Sequence, residues 1–372
     1  MAEPQPHTEA SHPGLSAPYH DPTAPLRVGY VPEHFSTPIH ILQQKILPQL
    51  ASPAPLRLEL VPFPSGTGAM ISSLSVNAID VAVGLTEGWI AGLAKGQSFY
   101  RIVGSYVESP LRWAISTGQG REAEFVGSTS SSEQGQGRGK LDLKGRKLGV
   151  SRIGSGSYVM GYVLAEQQGW LSSSSSSSSS SDAPPPPPPF EFVVLNDFKG
   201  LRTGVNSREA DAFMWEFYTT KKYYSDPAEL VQIGELPTPW PSWHIVARSD
   251  LLFPPSSSSS PPGGPPTAIP HRNPADSRVS TFLAHLNMAI KYFNDHPQEV
   301  LQSIVQSSEM NYGLEDASAW LGEVRFVEDV RCVRSDVVRG CAHLLRKAGV
   351  VPREDGDAEG GVRVDEMVVP VG

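Results

Sequence analysis

This chain predicts an α/β protein of two lobes, and three observations carry that prediction. Short apolar strands alternate with amphipathic helices along most of its length. Strand-to-helix junctions in both halves carry Gly/Ser/Thr turns. Its 372 residues, 39% hydrophobic and 19% charged, suffice for two cores. Alternation with short turns indicates mostly parallel sheets flanked by helices, with ligands beyond the carboxyl ends of the strands.

The elements follow in order. Leu26–Val31 is an apolar strand. Thr37 then caps a helix with Pro38 in its first turn, and Ile39, Leu42, Ile46 and Leu50 form its stripe. Leu56–Pro62 is a strand, Gly66–Ala78 a helix facing inward through Met70, Ile71 and Leu74, and Asp80–Leu85 a buried strand. Thr86 caps a helix carrying Trp89, Ile90 and Leu93; Phe99–Ser105 and Leu111–Ser116 are strands. In the second half Lys147–Ser151 is a strand, and Ser155 or Ser157 caps a helix ending at Gly169. Phe190–Leu195, Ala210–Trp215, Leu230–Ile233 and Trp243–Ala247 read as strands, with helices over Phe198–Ser207 and Phe217–Tyr224. Val279, Phe282, Leu286, Ala289, Ile290 and Phe293 mark an amphipathic helix; another starts at Asp295 or His296 before Pro297, and shorter ones fill Ser307–Val338.

Four stretches resist this pattern. Residues 1–24 are Pro/His/Ser-rich, and Gly118–Gly139, Ser172–Pro189 and Pro254–Pro274 are Gly-, Ser- and Pro-rich. Such compositions cannot bury enough apolar surface to offset chain entropy, so they read as a disordered arm and three insertions, a pattern that suggests a eukaryotic source. The expected organisation is an arm (1–24), lobe 1 (25–108), lobe 2 (109–241), a return to lobe 1 with C-terminal helices (242–350) and a tail (351–372).

A net charge of −9 argues against a nucleic-acid partner or an anionic membrane surface. No run reaches the roughly 18 apolar residues of a membrane span, and the first ten residues carry no leader pattern. A cytoplasmic location follows as the expectation. The two cysteines, Cys332 and Cys341, read as reduced thiols. No zinc spacing, nucleophile elbow or P-loop is visible, so no metal, cofactor or catalytic residue is expected.

Three turns stand out: Thr37-Pro38 after the first strand, Ser65-Gly66-Thr67-Gly68, and Ser155-Gly156-Ser157. Each aims unpaired backbone N–H groups and a positive helix end at one point, which suits a carboxylate, phosphate or sulfonate. Water alone would also satisfy such caps. Found in both halves, the turns suggest lobes that close on a small molecule.

The residues Val28-Gly-Tyr30, Pro64–Gly68, Ala78–Gly84, Leu143–Val150, Ser155–Ser157 and Arg208–Ala212 resemble the type II periplasmic-binding-protein fold. The resemblance lies in its sulfonate-, nitrate- and thiamine-pyrimidine-binding branch, nearest the fungal Ca3427-like proteins, and spans about Leu26 to Val338. It implies a two-lobed fold with mostly parallel sheets and places further residues at the cleft. These are Tyr30, Glu33 and His34 after the first strand, and Thr86 and Glu87 at a helix entrance. Trp215, Glu216 and Trp240 would form an aromatic wall with a carboxylate, suited to a planar amine by stacking and a charge-assisted hydrogen bond. The branch also contains a pyrimidine synthase that uses a lysine-bound pyridoxal phosphate and its own histidine. Those positions fall at Gly84 and Gly88 here, so that activity is not expected.

The resulting expectation is an intracellular solute-binding protein. Crossings at Glu108–Trp113 and Leu236–Trp243 act as hinges, and a small polar or heteroaromatic ligand, such as a thiamine-pyrimidine-like or amino/sulfonate compound, binds between the lobes. An enzyme on the same scaffold, with Glu87, Glu216 or His34 as acid or base, and a ligand-responsive regulatory protein are the rival expectations.

Overall fold

The computed structural model describes residues 24–50, 56–126, 141–171, 188–225, 227–253, 276–307, 310, 312–347, 349–351 and 363–371. The predicted N-terminal arm and most of each predicted insertion lie outside these residues. One insertion boundary needs correction. Gly118–Val126 is part of the fold: Gly118 ends a strand, Phe125 is fully buried, and Arg121 donates to the carbonyls of Val205 (3.1 Å) and Ala210 (3.0 Å). One aromatic and one arginine anchor a segment whose composition alone reads as open chain.

The first sheet runs β2–β1–β3–β10–β4, from β1 (Leu26–Tyr30), β2 (Leu58–Pro62), β3 (Val81–Leu85), β4 (Tyr100–Val107) and β10 (Trp243–Arg248). The second runs β7–β6–β8–β5–β9, from β5 (Arg112–Gly118), β6 (Lys147–Val150), β7 (Glu191–Val194), β8 (Ala212–Glu216) and β9 (Leu230–Pro237). The two orders match when β1, β2 and β3 are set against β6, β7 and β8. In each sheet three strands are parallel, and the strand that arrives from the other lobe, β10 or β5, is antiparallel to both neighbours. The sheets are therefore mixed, because one crossing enters each of them against the grain.

The same carboxylate device fixes the register in both lobes. Asp80, just before β3, accepts from the Arg27 backbone N–H (2.9 Å) and from Arg248 Nη1 (3.1 Å). Asp211, just before β8, accepts from the Lys147 backbone N–H (3.0 Å) and from Arg121 Nη2 (2.8 Å). Each acid satisfies a strand-end donor that would otherwise be orphaned, and charge-assisted bonds of this kind are the stronger ones.

The helices that matter for the cleft are α1 (Thr37–Ile41), α2 (Thr67–Ser75), α3 (Thr86–Ala94), α4 (Gly156–Gln167), α5 (Phe198–Asn206) and α6 (Phe217–Lys221). Behind α1 the chain stays helical to Gln49, through a π turn (Leu42–Ile46) and a 3₁₀ turn (Leu47–Gln49). Pro48 has no N–H to give, which breaks the regular ladder there. The stripe read as one helix is thus one face of three helical forms. Ser36, not Thr37, holds the N-cap position.

Further on, α7 (Ser249–Leu252) and α8 (Ser277–Asp295) lead to α9 (Pro297–Gln306), α10 (Leu314–Glu323) and α11 (Ser335–Lys347). The α8 helix buries Val279, Phe282, Leu286 and Phe293, each such side chain contributing roughly 1.5–3 kcal/mol. From α10, Asp316 meets Lys221 (2.5 Å) and Glu323 meets Arg112 (3.0 Å), so the C-terminal helices reach onto the second sheet. The tail also takes part: α12 (Val364–Met367) buries Val364 and Met367, and the Val369 N–H donates to Ile102 (2.9 Å) on β4. No helix among the described residues is long and apolar enough to cross a membrane.

Candidate functional site

The two crossings run side by side. Leu111 and Thr238 exchange bonds, the Leu111 N–H donating to Thr238 Oγ1 (2.9 Å) and the Thr238 N–H to Leu111 O (2.9 Å). Ser242 Oγ donates to Ser109 O (2.7 Å). Just beyond them the lobes enclose a cavity of about 50 Å³. Organic ligands occupy pockets of roughly 300–1,000 Å³. The lobes stand close together across it, Arg152 of one bonded to the Ser65 carbonyl of the other. Larger hollows open elsewhere, one of about 430 Å³ beside Glu108, His244 and Cys332. The small cavity gathers helix entrances from both lobes.

Ser65, Gly66 and Thr67 line it from the first lobe, Ser155, Gly156 and Ser157 from the second. Gly66 holds φ +75°, the left-handed region that glycine tolerates, and opens α2. Thr67 Oγ1 accepts from the Leu85 N–H (2.9 Å), tying this turn to the end of β3. Ser155 caps α4, its Oγ accepting from the Tyr158 N–H (3.3 Å). The facing turns are not topological twins, since α2 follows β2 whereas α4 follows β6, the counterpart of β1.

Of the other expected residues, Glu33, Trp215 and Glu216 also line the cavity. Tyr30, His34, Gly68, Thr86, Glu87 and Trp240 do not. Tyr30 is buried edge-on against His40, their rings 5.0 Å apart. Gly68 sits one residue behind the lining, where any side chain would run into the Arg152 guanidinium. The Thr86 hydroxyl donates to Pro241 O (2.6 Å), so its contact with His244 Nδ1 (2.8 Å) takes the imidazole proton. Nε2 of His244 is then left to accept from Ser105 (3.3 Å). Burial pushes His244 down to about 4, so it stays neutral while it pins β10 to the return crossing. Trp240 donates to Glu87 Oε2 (3.0 Å) inside the first lobe. Neither lines the cavity.

His34 is fully buried among Phe35, Tyr312 and Trp320, and its Nε2 lies 3.6 Å from Glu216 Oε1. Glu216 also accepts from the Thr219 N–H (2.6 Å) as the cap of α6. Burial alone would raise this carboxyl, but the neighbouring His34 imidazole and the Thr219 bond hold it below its ordinary value. Glu216 is therefore already engaged within the protein.

Sequence reasoning missed Val31, Leu85, Leu111, Trp113, Ser151 and Arg152, which complete the lining together with Trp243 of the return crossing. Arg152 is the important one. It follows β6, is half-buried, and reaches across the cleft to donate to Ser65 O. It makes no ion pair among the described residues, and desolvation pulls its guanidinium below the ordinary arginine value. The indole N–H groups of Trp113 and Trp243, both nearly fully buried, find no acceptor among the described residues. Buried donors left unpaired are rare enough to need a reason.

Gly84 and Gly88 have no room for larger residues. A Cβ on Gly84 would lie 2.7 Å from Trp89, and one on Gly88 2.8 Å from Thr67 Cγ2. Gly156 is tight for another reason, since a Cβ there would lie 2.7 Å from Leu85 Cδ1 and 2.8 Å from the Trp113 ring. Leu85 belongs to the opposite lobe. Gly156→Val is expected to cost closure about 1–3 kcal/mol by overpacking. Small-angle scattering should then give a larger radius of gyration than the native chain; equal radii would show that Gly156 does not set the closed distance.

Among known protein families, the model of the Ca3427-like periplasmic binding proteins matches residues 113–236. The CA3427 gene product of Candida albicans, described as having the generic periplasmic-binding-protein fold, is 34% identical with a TM-score of 0.69 over 93% of this chain and 96% of that one. The alkanesulfonate-binding protein SsuA of Xanthomonas axonopodis pv. citri, solved with MOPS bound, is 16% identical (TM-score 0.60; 93% of this chain, 98% of that one). The nitrate-binding protein NrtA of Synechocystis PCC 6803 is 12% identical (TM-score 0.59; 92% and 85%). The last two share the fold alone. No curated protein matches the chain. Identity of this level over nearly the full length of both chains, with the same fold, places the protein in the Ca3427-like family of periplasmic-binding-protein-fold proteins.

Proposed function

We propose that this chain is a solute-binding protein whose lobes close, about the two crossings, over a small molecule bearing an acidic group on an apolar or ring-shaped body. One observation carries this reading. Arg152, a guanidinium with no carboxylate partner among the described residues, and the rings of Trp113 and Trp243 line a single cavity. That cavity is also flanked by the amide-rich starts of α2 and α4. An anionic group supplies the missing partner, and the closed cleft strengthens each such bond by excluding water. The indoles and Leu85 and Leu111 would cover the ligand's apolar body.

The known binding of an alkanesulfonate-binding protein to MOPS supports a sulfonate or carboxylate. An aminopyrimidine is a second candidate for the aromatic wall. The free, exposed thiol of Cys332 fits action in a reducing compartment such as the cytoplasm.

Titration calorimetry with ethanesulfonate, 1-propanesulfonate, propionate and an aminopyrimidine tests the reading. Binding of at least one acid, with a raised melting temperature, is the expected result. Binding of the uncharged pyrimidine alone, or of nothing in the panel, would overturn the anion assignment.

A further inference from the structure

Two carboxylates share the cavity with Arg152, and they are not equivalent. Glu216 is held by His34 and by the Thr219 N–H. Glu33, in the turn after β1, has no cation beside it among the described residues. The groups that face it are Glu216, Trp215 and Tyr312, with His34 next in the chain. Burial and the Glu216 charge push the Glu33 carboxyl up to about 8, against a hydrogen bond from Trp215. Arg152 pairs with neither acid. The closed cleft thus presents an unpaired cation and an unpaired acid to one small space.

Resting on the reading of the Arg152 end as an anion site, we propose that Glu33 receives a protonated amine of the ligand. The cleft then selects zwitterions, with the acidic group at Arg152 and the ammonium at Glu33. An ammonium at this point supplies the positive charge that lets Glu33 ionise beside Glu216. A plain anion leaves Glu33 protonated and gains no ion pair from it, and a plain cation leaves Arg152 unpaired. Discrimination of this kind works by penalising the wrong ligand as well as by attracting the right one.

Matched pairs separate this proposal from the reading beneath it. Calorimetry of the full chain would compare ethanesulfonate with 2-aminoethanesulfonate, and 1-propanesulfonate with 3-aminopropanesulfonate. The amine of each pair should bind about tenfold tighter or more, a gap of about 1.4 kcal/mol. Glu33→Gln should close that gap by weakening the amines. Should Glu33→Gln melt well below the native chain, Glu33→Asp reads the same gap with the charge kept and the reach shortened. Equal binding within each pair, unmoved by either variant, would overturn the zwitterion assignment while leaving the anion site standing. Failure of every sulfonate to bind would overturn both.

Discussion

Arg152→Ala is expected to weaken the binding of a small sulfonate by roughly 100-fold, about 3 kcal/mol, while leaving the melting temperature of the free protein nearly unchanged. The two halves of that expectation come from one environment. In the closed cleft Arg152 is half-buried, accepts no help from a carboxylate, and makes a hydrogen bond to the Ser65 carbonyl. A desolvated cation of this kind adds little to the stability of the empty protein, because its burial cost offsets its one bond. With an anion present, the same guanidinium forms charge-assisted bonds in a water-poor space, and truncating a partner of such a pair costs about 2–5 kcal/mol. Arg152→Lys should recover part of the loss, since the charge returns without the flat fork. Calorimetry against ethanesulfonate reads the affinity, and a thermal melt reads the stability. A large fall in melting temperature with unchanged affinity would make Arg152 a structural strut.

Much of this architecture was legible because it is written locally. Period-two and helical stripes located the strands and helices, and Gly/Ser/Thr turns marked the junctions that meet at the cleft. Asp80 and Asp211 sit in similar Asp-Val-Ala and Asp-Ala-Phe contexts, and they do the same work in both lobes. What local pattern cannot supply is which face of an element looks into the cleft. Glu87 lies in the first turn of α3, where a carboxylate complements the helix dipole. Yet α3 is buried from Thr86 to Leu93 by packing that includes α11, more than 240 residues later in the chain. A lone acid in a helix so rich in Gly, Ala and Trp is the available sign that it has no solvent face.

The site was legible in its backbone and largely illegible in its side chains. Trp113 and Trp243 bound the crossings, and large aromatics at such places ordinarily fill cores; only their unpaired N–H groups mark them out. Arg152 sits between a strand end and a Gly-Ser-Gly turn, and that position was its signal. A long cation there projects in the same direction as the strand, toward the point at which the turn's amides aim. Glu216, by contrast, looked free and is not, because His34 and Tyr312 are brought beside it by segments far apart in sequence.

Glu87→Gln is expected to make the protein more stable than the native chain at pH 8 by on the order of 3 kcal/mol, and to leave the two nearly equal in pH dependence below pH 5. Glu87 is fully buried, with Oε2 bonded to Trp240 and Oε1 without a partner among the described residues. Burial raises its carboxyl from the ordinary 4.5 to about 7, the Trp240 bond opposing. Between those two values the folded protein keeps a proton that the unfolded chain has released, so stability falls as pH rises from about 4.5 to about 7. Above that range the loss is complete, at about 1.4 kcal/mol per unit of pKa difference. Glutamine cannot ionise, and its side-chain oxygen keeps the Trp240 bond, so this slope vanishes. Glu33, raised to about 8, slopes the same way in both proteins and cancels in the difference. Urea unfolding at pH 5, 6, 7 and 8 reads that difference directly. Parallel stability profiles for the two chains would mean that Glu87 is ionised without cost, through a solvent path that the closed packing of α3, α11 and Trp240 excludes.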